Sequence, residues 1–354
     1  MDMLVENNAN GTTLQLTLTQ KDDWVKYISM AADYDFYHTW HYHAMATNGR
    51  PILFVYCEAN NFIALPLLER AIQGTPYYDL HCVYGYSGPV SNLKFSDISE
   101  RLKRNFLNAF SAFLYKGSYV SVFSRLHPFF DQNILLKKTD SIYQNGKTVV
   151  INLQQSIEEQ RKQYRQTTRD SIKKCRKFGY VSVETTAQED IAAFTKLYQS
   201  NMNRISATDF YLFTEEYFTK LVRAQEFDCK LILVYSNDDL VCGSIIMCTK
   251  GIIEGHLIAT NAQFLKNSPA KFLVDEISEL GRKWNMKYYH LGGGLGYRED
   301  SLLEWKLGFS NMVLDYYSWR FIANKAVYNQ LVEKSGNQIH VNADFFPLYR
   351  MIPQ

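Results

Sequence analysis

A glycine-rich segment followed by one lysine has the residue types and spacing to act on a carbonyl group. Residues 292–294 are three consecutive glycines, directly after the aromatic-rich segment 288–291. Glycines at the end of a strand leave backbone N–H groups open to a carbonyl or phosphate oxygen. Lys306 follows among large apolar residues, where a lysine is costly unless it is paired or used. We predict that Lys306 either stabilises an oxyanion during acyl transfer or pairs with Glu299 or Glu304.

Several common nucleotide and hydrolase motifs are missing. The glycines do not complete G-x-G-x-x-G, and no long helix opens directly at them. The sequence therefore argues against a dinucleotide-binding fold. It also contains neither a G-x-x-x-x-G-K-[ST] loop nor a G-x-S-x-G elbow.

A basic stripe runs along the segment 156–179, which the pattern predicts to be one long helix. It begins with a capping box, Ser156 to Glu159, and Gly179 stands where a helix commonly ends. The cations recur every four residues and therefore share one face; they are Arg161, Arg165, Arg169, Lys173 and Lys177. This face is either solvated or an electrostatic surface for the phosphates of RNA, a nucleotide-linked sugar or a lipid pyrophosphate.

Three histidines in the segment YHTWHYH suggest a metal site, but their spacing argues against it. Neither a helix nor a strand brings His38, His41 and His43 to one face. The alternatives for His38 are the wall of a substrate cleft or ordinary packing. The chain also contains 25 Tyr and 22 Phe. Tyrosines line many sugar and peptide clefts, although they also complete cores.

The composition is that of a globular protein large enough for two domains. The chain has 354 residues, of which 46% are hydrophobic, and a net charge of +2. Such a charge gives no global attraction to nucleic acid or anionic membranes. Six cysteines without a Cys-x-x-Cys pair, and a polar N-terminal segment, predict reduced thiols in a cytoplasm. No apolar stretch is long enough to span a bilayer.

The predicted elements form two α+β halves that meet near residues 145–146. Hairpins are expected about residues 58–61, 237–239 and 250–251, where turn-forming residues separate apolar strands. A helix beginning at Ser268 and Pro269 precedes the glycine-rich strand, and a last helix is expected over residues 318–334.

The sequence resembles a known family at the motifs YYHLGGG and WKLGFS. These segments are similar to the second domain of the FemABX peptidyltransferases and the FemAB-like (BioF2-like) acyltransferases, within the GNAT superfamily. The basic segment 163–184, the Arg-containing segment NMNRISATDFY and the loop YGYSGPVSN resemble other family segments in the same order. The resemblance extends over most of the chain.

The resemblance implies an α+β fold of two tandem GNAT-like domains with mixed central sheets flanked by helices. The first domain would comprise residues 1–145 and 318–354, on the acceptor side and completed by the C-terminal helix. The second, residues 146–317, would be the donor and catalytic side. Lys306 would stabilise the transition state at the acyl donor, and Arg204 would contact a phosphate of a nucleotide-linked acceptor. The candidates for substrate binding are Arg204, Tyr211, His38, Tyr86, Gly292, Gly293 and Gly294.

The expected activity is transfer of an acyl or aminoacyl group from a thioester or ester to an amine, in bacterial cell-envelope or surface-polysaccharide biosynthesis. The co-substrate would be acyl-CoA or aminoacyl-tRNA, with no tightly bound cofactor or metal. The acceptor would be a small molecule or a nucleotide- or lipid-linked sugar, the latter implying peripheral membrane contact. One alternative is a tRNA-dependent ligase of peptidoglycan precursors, and another is a non-catalytic glycan or nucleotide-sugar binding module.

Two family features are missing. The long helical arm of some members has no room in residues 188–225, and the phosphate-binding Q/R-x-x-G-x-G/A loop is absent before Ser268. A conventional coenzyme A pyrophosphate site is therefore not predicted, although a helix N-terminus at Ser268 could hold an anion. The general base is not identified, and Tyr297, Glu299 and Asp300 are weak candidates.

Overall fold

The computed structural model describes residues 4–8, 11–208, 211–297, 299–337 and 345–351. The chain divides into two compact units. Unit 1 comprises residues 1–145 and 316–354, and unit 2 comprises residues 146–315. Unit 1 is therefore built from both ends of the chain, and unit 2 is contiguous.

The described part of the chain contains fourteen strands and eleven α-helices. The strands are β1 (Leu4–Asn8), β2 (Gly11–Thr17), β3 (Arg50–Glu58), β4 (Asn61–Ala71), β5 (Tyr78–His81), β6 (Val90–Ser91), β7 (Tyr119–Arg125), β8 (Ile142–Asn152), β9 (Val181–Thr185), β10 (Asp228–Ser236), β11 (Asp239–Thr249), β12 (Ile252–Thr260), β13 (Tyr288–Gly292) and β14 (Val313–Ile322). The helices are α1 (Lys21–Ser29), α2 (Trp40–Ala44), α3 (Glu100–Lys116), α4 (Gln132–Leu136), α5 (Ile157–Gln163), α6 (Gln166–Lys177), α7 (Gln188–Arg204), α8 (Glu215–Val222), α9 (Pro269–Lys283), α10 (Ser301–Lys306) and α11 (Lys325–Lys334).

Unit 1 has a mixed sheet in the order β1-β2-β3-β4-β5-β7-β14, with β6 paired to β4. The β5–β7 pair is parallel, and the other described pairs are antiparallel. Helix α3 lies between β5 and β7 in the chain and packs on one face of this sheet. Its Phe106 and Phe110 meet Phe54 of β3 and Trp319 of β14 in one core cluster. Trp319 has no exposed surface, so the C-terminal residues are part of this core.

Unit 2 has a second mixed sheet in the order β8-β13-β12-β11-β10-β9. Here the parallel pair is β12–β13, and helix α9 connects the two strands. The apolar faces of α6 and α9 bury Ile172, Phe272 and Ile277 against sheet residues such as Ile232 and Ile253. Each unit thus contains antiparallel strands followed by one parallel pair with a helical crossover, and the α+β prediction is confirmed.

The predicted hairpins are confirmed. Glu58 pairs with Asn61 across the first turn. Ser236 pairs with Asp239, and Thr249 pairs with Ile252, across the other two. Turn-forming residues adopt positive φ at Asn237 (54°) and Gly251 (84°), as tight hairpin turns require.

Two helix predictions are wrong. The segment 156–179 is not one helix, because Tyr164 adopts an extended conformation (ψ 139°) between α5 and α6. The Arg165 N–H then bonds the Gly308 carbonyl at 2.9 Å, which fixes this break. The predicted last helix, 318–334, begins instead as the C-terminal part of β14, and only residues 325–334 are helical. The capping box at Ser156 and the positive φ of Gly179 (72°) are confirmed.

Candidate active site

The parallel strands β12 and β13 separate after three paired residues. Their register runs from Ile252–Tyr288 to Glu254–His290. Beyond Glu254, β12 continues to Thr260 paired with β11, and a bulge at His256 bends it. In the described residues no strand pairs with the other edge of β12 from Gly255 onward. An extended ligand segment could therefore bond to this edge.

The glycine-rich loop begins where β13 ends. Gly292 has φ 73°, a left-handed conformation that favours glycine. The loop is closed by Asp300, whose carboxylate accepts the Leu295 N–H at 2.8 Å and the Leu303 N–H at 2.9 Å. Asp300 is thereby also the N-cap of α10. One side chain thus fixes both the loop and the helix that carries Lys306.

Lys306 lies at the end of α10 and points back to the glycine-rich loop. Its ammonium donates a hydrogen bond to the Gly293 carbonyl at 2.6 Å. Burial lowers the pKa of Lys306 to about 8, although the negative charges of Asp300 and Glu254 act in the opposite direction. Since an ammonium has three N–H donors, the bond to Gly293 leaves two that a substrate oxygen could accept from.

The described structure does not contain the predicted alternative, an ion pair of Lys306 with Glu299 or Glu304. Glu304 instead pairs with Arg165, with 2.9 Å between Oε2 and Nη1. Glu299 is exposed. Of the three weak candidates for a general base, Asp300 has its pKa lowered by the backbone N–H groups that bond it, Leu303 first, so it is a poor proton acceptor. The side chain of Tyr297 lies outside the described part of the structure.

A buried carboxylate and imidazole lie where β12 and β13 separate. His290 Nδ1 is 2.8 Å from both carboxylate oxygens of Glu254. Both side chains are buried. Our sequence reasoning missed this pair. The available signal was a glutamate inside the apolar strand IIEGHLIAT, because a buried glutamate is rare unless it has a partner.

The basic stripe is largely engaged inside unit 2. Arg161 bonds the buried Asp275 through two nitrogens, with Nε–Oδ1 at 3.0 Å and Nη2–Oδ2 at 2.6 Å, and it also pairs with Glu279. Arg165 pairs with Glu304, and Arg169 donates to the backbone carbonyls of Lys162 and Tyr164.

Only two of the five predicted stripe residues, Lys173 and Lys177, are exposed without an ion pair in the described structure. The break between α5 and α6 also prevents the cations from forming one continuous basic surface. The solvated-face interpretation therefore fits α6 better than an extended phosphate surface.

Arg204 and Tyr211 lie on the segment after α7. Arg204 is the last residue of α7, is exposed, and donates to Asn201 Oδ1 at 3.0 Å. The same Asn201 oxygen accepts the N–H of Thr260 at 3.4 Å, which ties the end of α7 to the end of β12. The Tyr211 N–H bonds the Thr208 carbonyl at 2.9 Å. Arg204 is therefore near the end of β12.

His38 and Tyr86 lie in the interior of unit 1. His38 has no exposed surface, and its Nδ1 accepts the Asp35 N–H at 3.0 Å. Burial lowers the pKa of His38 to about 4, so the ring is neutral at pH 7. Tyr86 is buried against the rings of Tyr37 and Tyr316. The structure favours packing over a cleft wall for both.

Comparisons with known proteins show which class of protein this chain resembles. Residues 162–306 match the family model described as an acetyltransferase (GNAT) domain. FemX has a similar structure (TM-score 0.66, 13% identity), covering 90% of this chain and 99% of FemX. L-PGS from Bacillus licheniformis follows (TM-score 0.58, 12% identity; 87% and 94% covered). A tandem GNAT protein from the clavulanic acid biosynthesis pathway has a TM-score of 0.50 and 10% identity, covering 88% of this chain and 98% of that one. No curated protein sequence matches.

Unit 2 therefore contains an acetyltransferase (GNAT) domain, in which β12 and β13 are the diverging parallel strands and α9 is the crossover helix, and this domain makes the chain an acyltransferase. Along almost the whole chain, the fold is similar to that of FemX. The part of the chain that the structure describes contains no helix long and apolar enough to cross a membrane.

Proposed function

We propose that the chain transfers an acyl or aminoacyl group from a thioester or ester to an amine. The observation that carries this proposal is the Lys306 ammonium beside the glycine-rich loop, at the point where β12 and β13 separate. The acceptor amine attacks the donor carbonyl carbon, a C–N bond forms, and the C–S or C–O bond breaks. Lys306 stabilises the oxyanion in between, as a preorganised cation in a water-poor site.

The acyl donor binds in an extended conformation along the edge of β12 with which no described strand pairs, residues 255–259. An extended chain that contains amides can bond to a strand edge through backbone N–H and C=O groups. This favours an amide-containing thioester such as acyl-CoA. The aminoacyl-tRNA version remains the second candidate, but it is less favoured because three stripe cations are engaged internally.

The Glu254–His290 pair accepts the proton that the amine must lose. A neutral imidazole oriented by a carboxylate is a common proton acceptor near pH 7. Glu254 also interacts electrostatically with Lys306, so the pair is close to the proposed reaction centre. The exchange Glu254→Gln removes the charge and retains the shape, and should lower kcat more than it raises KM.

The acceptor is an amine on a nucleotide- or lipid-linked sugar or peptide of the bacterial cell envelope. Arg204, near the end of β12, would contact its phosphate, and Tyr211, seven residues further along the chain, its apolar part. Support comes from the exposed position of Arg204 and its link through Asn201 to Thr260. The exchange Arg204→Gln is expected to raise KM for a phosphorylated acceptor with little change in donor affinity.

The donor is tested by calorimetry with acetyl-CoA and by filter binding with charged tRNA, each at two salt concentrations. Acetyl-CoA binding that survives high salt, without tRNA binding, supports the thioester version. Salt-sensitive tRNA binding alone supports the tRNA version, because phosphate contacts release counterions.

Catalysis is tested by Lys306→Ala in a transfer assay with the donor identified above. Loss of one oxyanion-stabilising donor should reduce kcat by about 10²–10³-fold. The matched control is Lys283→Ala, which removes an exposed lysine at the end of α9. Full turnover in Lys306→Ala would contradict the proposal. If the wild-type protein shows no measurable transfer and Lys306→Ala binds the ligand as tightly as wild type, the binding-module alternative is favoured.

A further inference from the structure

A buried threonine of unit 2, Thr148, has a side-chain hydroxyl that no described residue bonds. Thr148 has no exposed surface, and its Oγ1 makes no hydrogen bond within the part of the chain that the structure describes. Buried polar side chains nearly always have a partner, because leaving one unbonded costs free energy. The exception therefore needs an explanation from the place of Thr148 in the fold.

Thr148 lies on β8 at the level of the glycine-rich loop. Strand β8 pairs antiparallel with β13 as far as Val149, which is opposite Gly292. Gly292 ends β13, so Thr148 is the next residue of β8 beyond this pairing. The residue that follows Gly292 is Gly293, whose carbonyl accepts the hydrogen bond from Lys306. The hydroxyl is therefore near the segment where the oxyanion would form.

Strand alternation places Thr148 on the face of the unit 2 sheet that carries the Glu254–His290 pair. Successive side chains of a strand point to opposite faces. Val149 packs in the core formed with α6 and α9, so Thr148 is on the other face. The residues just before Glu254 and His290 pack in the same core, so this pair is also on that other face.

Burial without a partner does not by itself indicate a function, because Thr249 of β11 has the same property in the described structure. Thr249 pairs with Ile252, and Ile252 pairs with Tyr288. Thr249 is therefore level with the beginning of β13, whereas Thr148 is beyond its end. The position beside the glycine-rich loop distinguishes Thr148.

The spacing between Thr148 and His290 accommodates one amine. His290 pairs with Val150 across the two strands, and Thr148 is two residues further along β8. Diagonal neighbours of this kind on one face of a sheet are about 7–8 Å apart. Because a hydrogen bond joins heavy atoms about 3 Å apart, a single amine nitrogen can reach both side chains.

We infer that the Thr148 hydroxyl is a substrate-binding group that accepts a hydrogen bond from the attacking amine. A hydroxyl oxygen can accept an N–H, and this bond directs the lone pair of the amine toward the donor carbonyl carbon. The inference rests on the proposed function, because it adds one contact to the same reaction. Thr148 itself forms and breaks no covalent bond.

The test uses Thr148→Val, which removes the hydroxyl and retains the branched shape. Thiol release from acetyl-CoA is measured above the protein-free rate, with hydroxylamine as the amine, because so small a nucleophile needs no specific acceptor site. The KM for hydroxylamine should rise about tenfold, as expected for one lost hydrogen bond, while the KM for acetyl-CoA should change by less than about twofold. Thr148→Ser retains the hydroxyl and should restore the KM for hydroxylamine.

Stability separates this role from a structural one. A hydroxyl that bonds only the substrate is unbonded in the free protein, so Thr148→Val should raise the urea midpoint of unfolding. Removal of a structural hydroxyl would lower that midpoint. Thr249→Val is the matched control, because it should also raise the midpoint but leave both KM values unchanged.

The outcomes distinguish this inference from the proposed function. Thiol release that is lost in Lys306→Ala and unchanged in Thr148→Val overturns the role of Thr148 and leaves the proposed function intact. A lower urea midpoint in Thr148→Val, or an equal rise of KM in Thr249→Val, also overturns that role. If the wild-type protein does not accelerate thiol release, the proposed function fails and this inference fails with it.

Discussion

At the scale of single residues, Lys306 is held in an environment that disfavours its charge. Its pKa of about 8, against 10.5 for an ordinary lysine, means that the folded state binds this proton less tightly than the unfolded state. At pH 7 that difference destabilises the fold by roughly 3 kcal/mol as an upper bound, at about 1.4 kcal/mol per pKa unit. Such a penalty is typical of a group retained for function.

We therefore expect Lys306→Met to stabilise the protein while abolishing transfer. The apolar side chain removes the buried charge and retains the packing, so the free energy of unfolding at pH 7 should rise by about 2 kcal/mol. Urea denaturation measures this, with the exposed Lys283→Met as the control. A less stable Lys306→Met protein would show that the ammonium has a structural role.

The same pKa predicts two pH dependences of opposite sign. Transfer needs the ammonium, so kcat/KM should fall as pH rises through about 8. Stability should change the other way. Between pH 8 and 10.5 the unfolded chain binds more protons at this lysine, so its contribution to the free energy of unfolding becomes more favourable as pH rises. This rise in the free energy of unfolding with pH should be absent in Lys306→Met. If the rise persists in that variant, another titrating group causes it.

Residue types near the site were partly predictable. The glycines and Lys306 stand out because bare backbone and a lone cation are unusual in an apolar segment. The Glu254–His290 pair was not predicted, because the two residues are separated by 36 positions and meet only through parallel strand pairing. For His38 the sequence left a cleft wall and ordinary packing open, and only the tertiary structure shows that the ring is buried.

At the scale of elements, a buried ionic network holds the two basic helices to α9. Asp275 has no exposed surface and accepts bonds from Arg161, Arg176 and Tyr164. Its carboxylate therefore balances charges that belong to α5 and α6. Of the predicted stripe only Arg161 takes part in this network, and it stabilises unit 2 together with Arg176.

Asp275→Asn should destabilise the protein by about 1–3 kcal/mol, because it removes the buried charge that Arg161 and Arg176 share and leaves them only their partly exposed glutamate partners. The control is Glu304→Gln, which breaks the exposed pair with Arg165 and should cost less than about 1 kcal/mol. Urea denaturation of both variants measures the difference. If both variants lose the same small amount of unfolding free energy, water compensates the arginine charges and the Asp275 network contributes little to stability.

The conformation of the glycine-rich loop should matter for activity beyond its effect on stability. Gly292→Ala and Gly179→Ala place a side chain at nearly the same φ, 73° and 72°. Each should cost about 1–2 kcal/mol of stability. Only Gly292→Ala should also reduce kcat, since it moves the Gly293 carbonyl that holds Lys306. Parallel denaturation and turnover measurements test this, and equal turnover in the two variants would contradict it.

Elements were predictable where the signal is local. Hairpins between β3 and β4 and from β10 to β12 follow from turn residues between apolar strands. The break between α5 and α6 was not predictable, because the i, i+4 spacing of arginines continues across it while a distant carbonyl, that of Gly308, fixes Arg165. Likewise β14 is extended because it pairs with β7, a contact distant in sequence.

At the scale of the whole molecule, unit 1 is incomplete without the C-terminal residues. Trp319 is fully buried in its core, and Asn145 Oδ1 accepts bonds from Ser318 Oγ at 3.1 Å and Arg320 Nη2 at 2.9 Å. The two chain segments of unit 1 therefore meet where unit 2 is inserted. The division of labour between the units, acceptor side and donor side, stays a prediction.

We expect residues 1–145 alone to remain unfolded, and residues 1–145 joined to 316–351 by a short Gly/Ser linker to fold cooperatively. The linker can be short because Asn145 and Ser318 are already in contact. Circular dichroism and thermal unfolding of the two fragments measure this. A cooperative transition in residues 1–145 alone would show that Trp319 and β14 are dispensable.

The interrupted chain of unit 1 also sets an order of events during synthesis on the ribosome. Unit 2 is contiguous and is complete once residue 315 has emerged, whereas the first 145 residues await the segment that begins at residue 316. At about 5–20 residues per second, that wait lasts roughly 10–40 s. Residues 1–145 are thus made before unit 2 but complete their fold after it, and their apolar strands lack the partner strand β14 in the meantime.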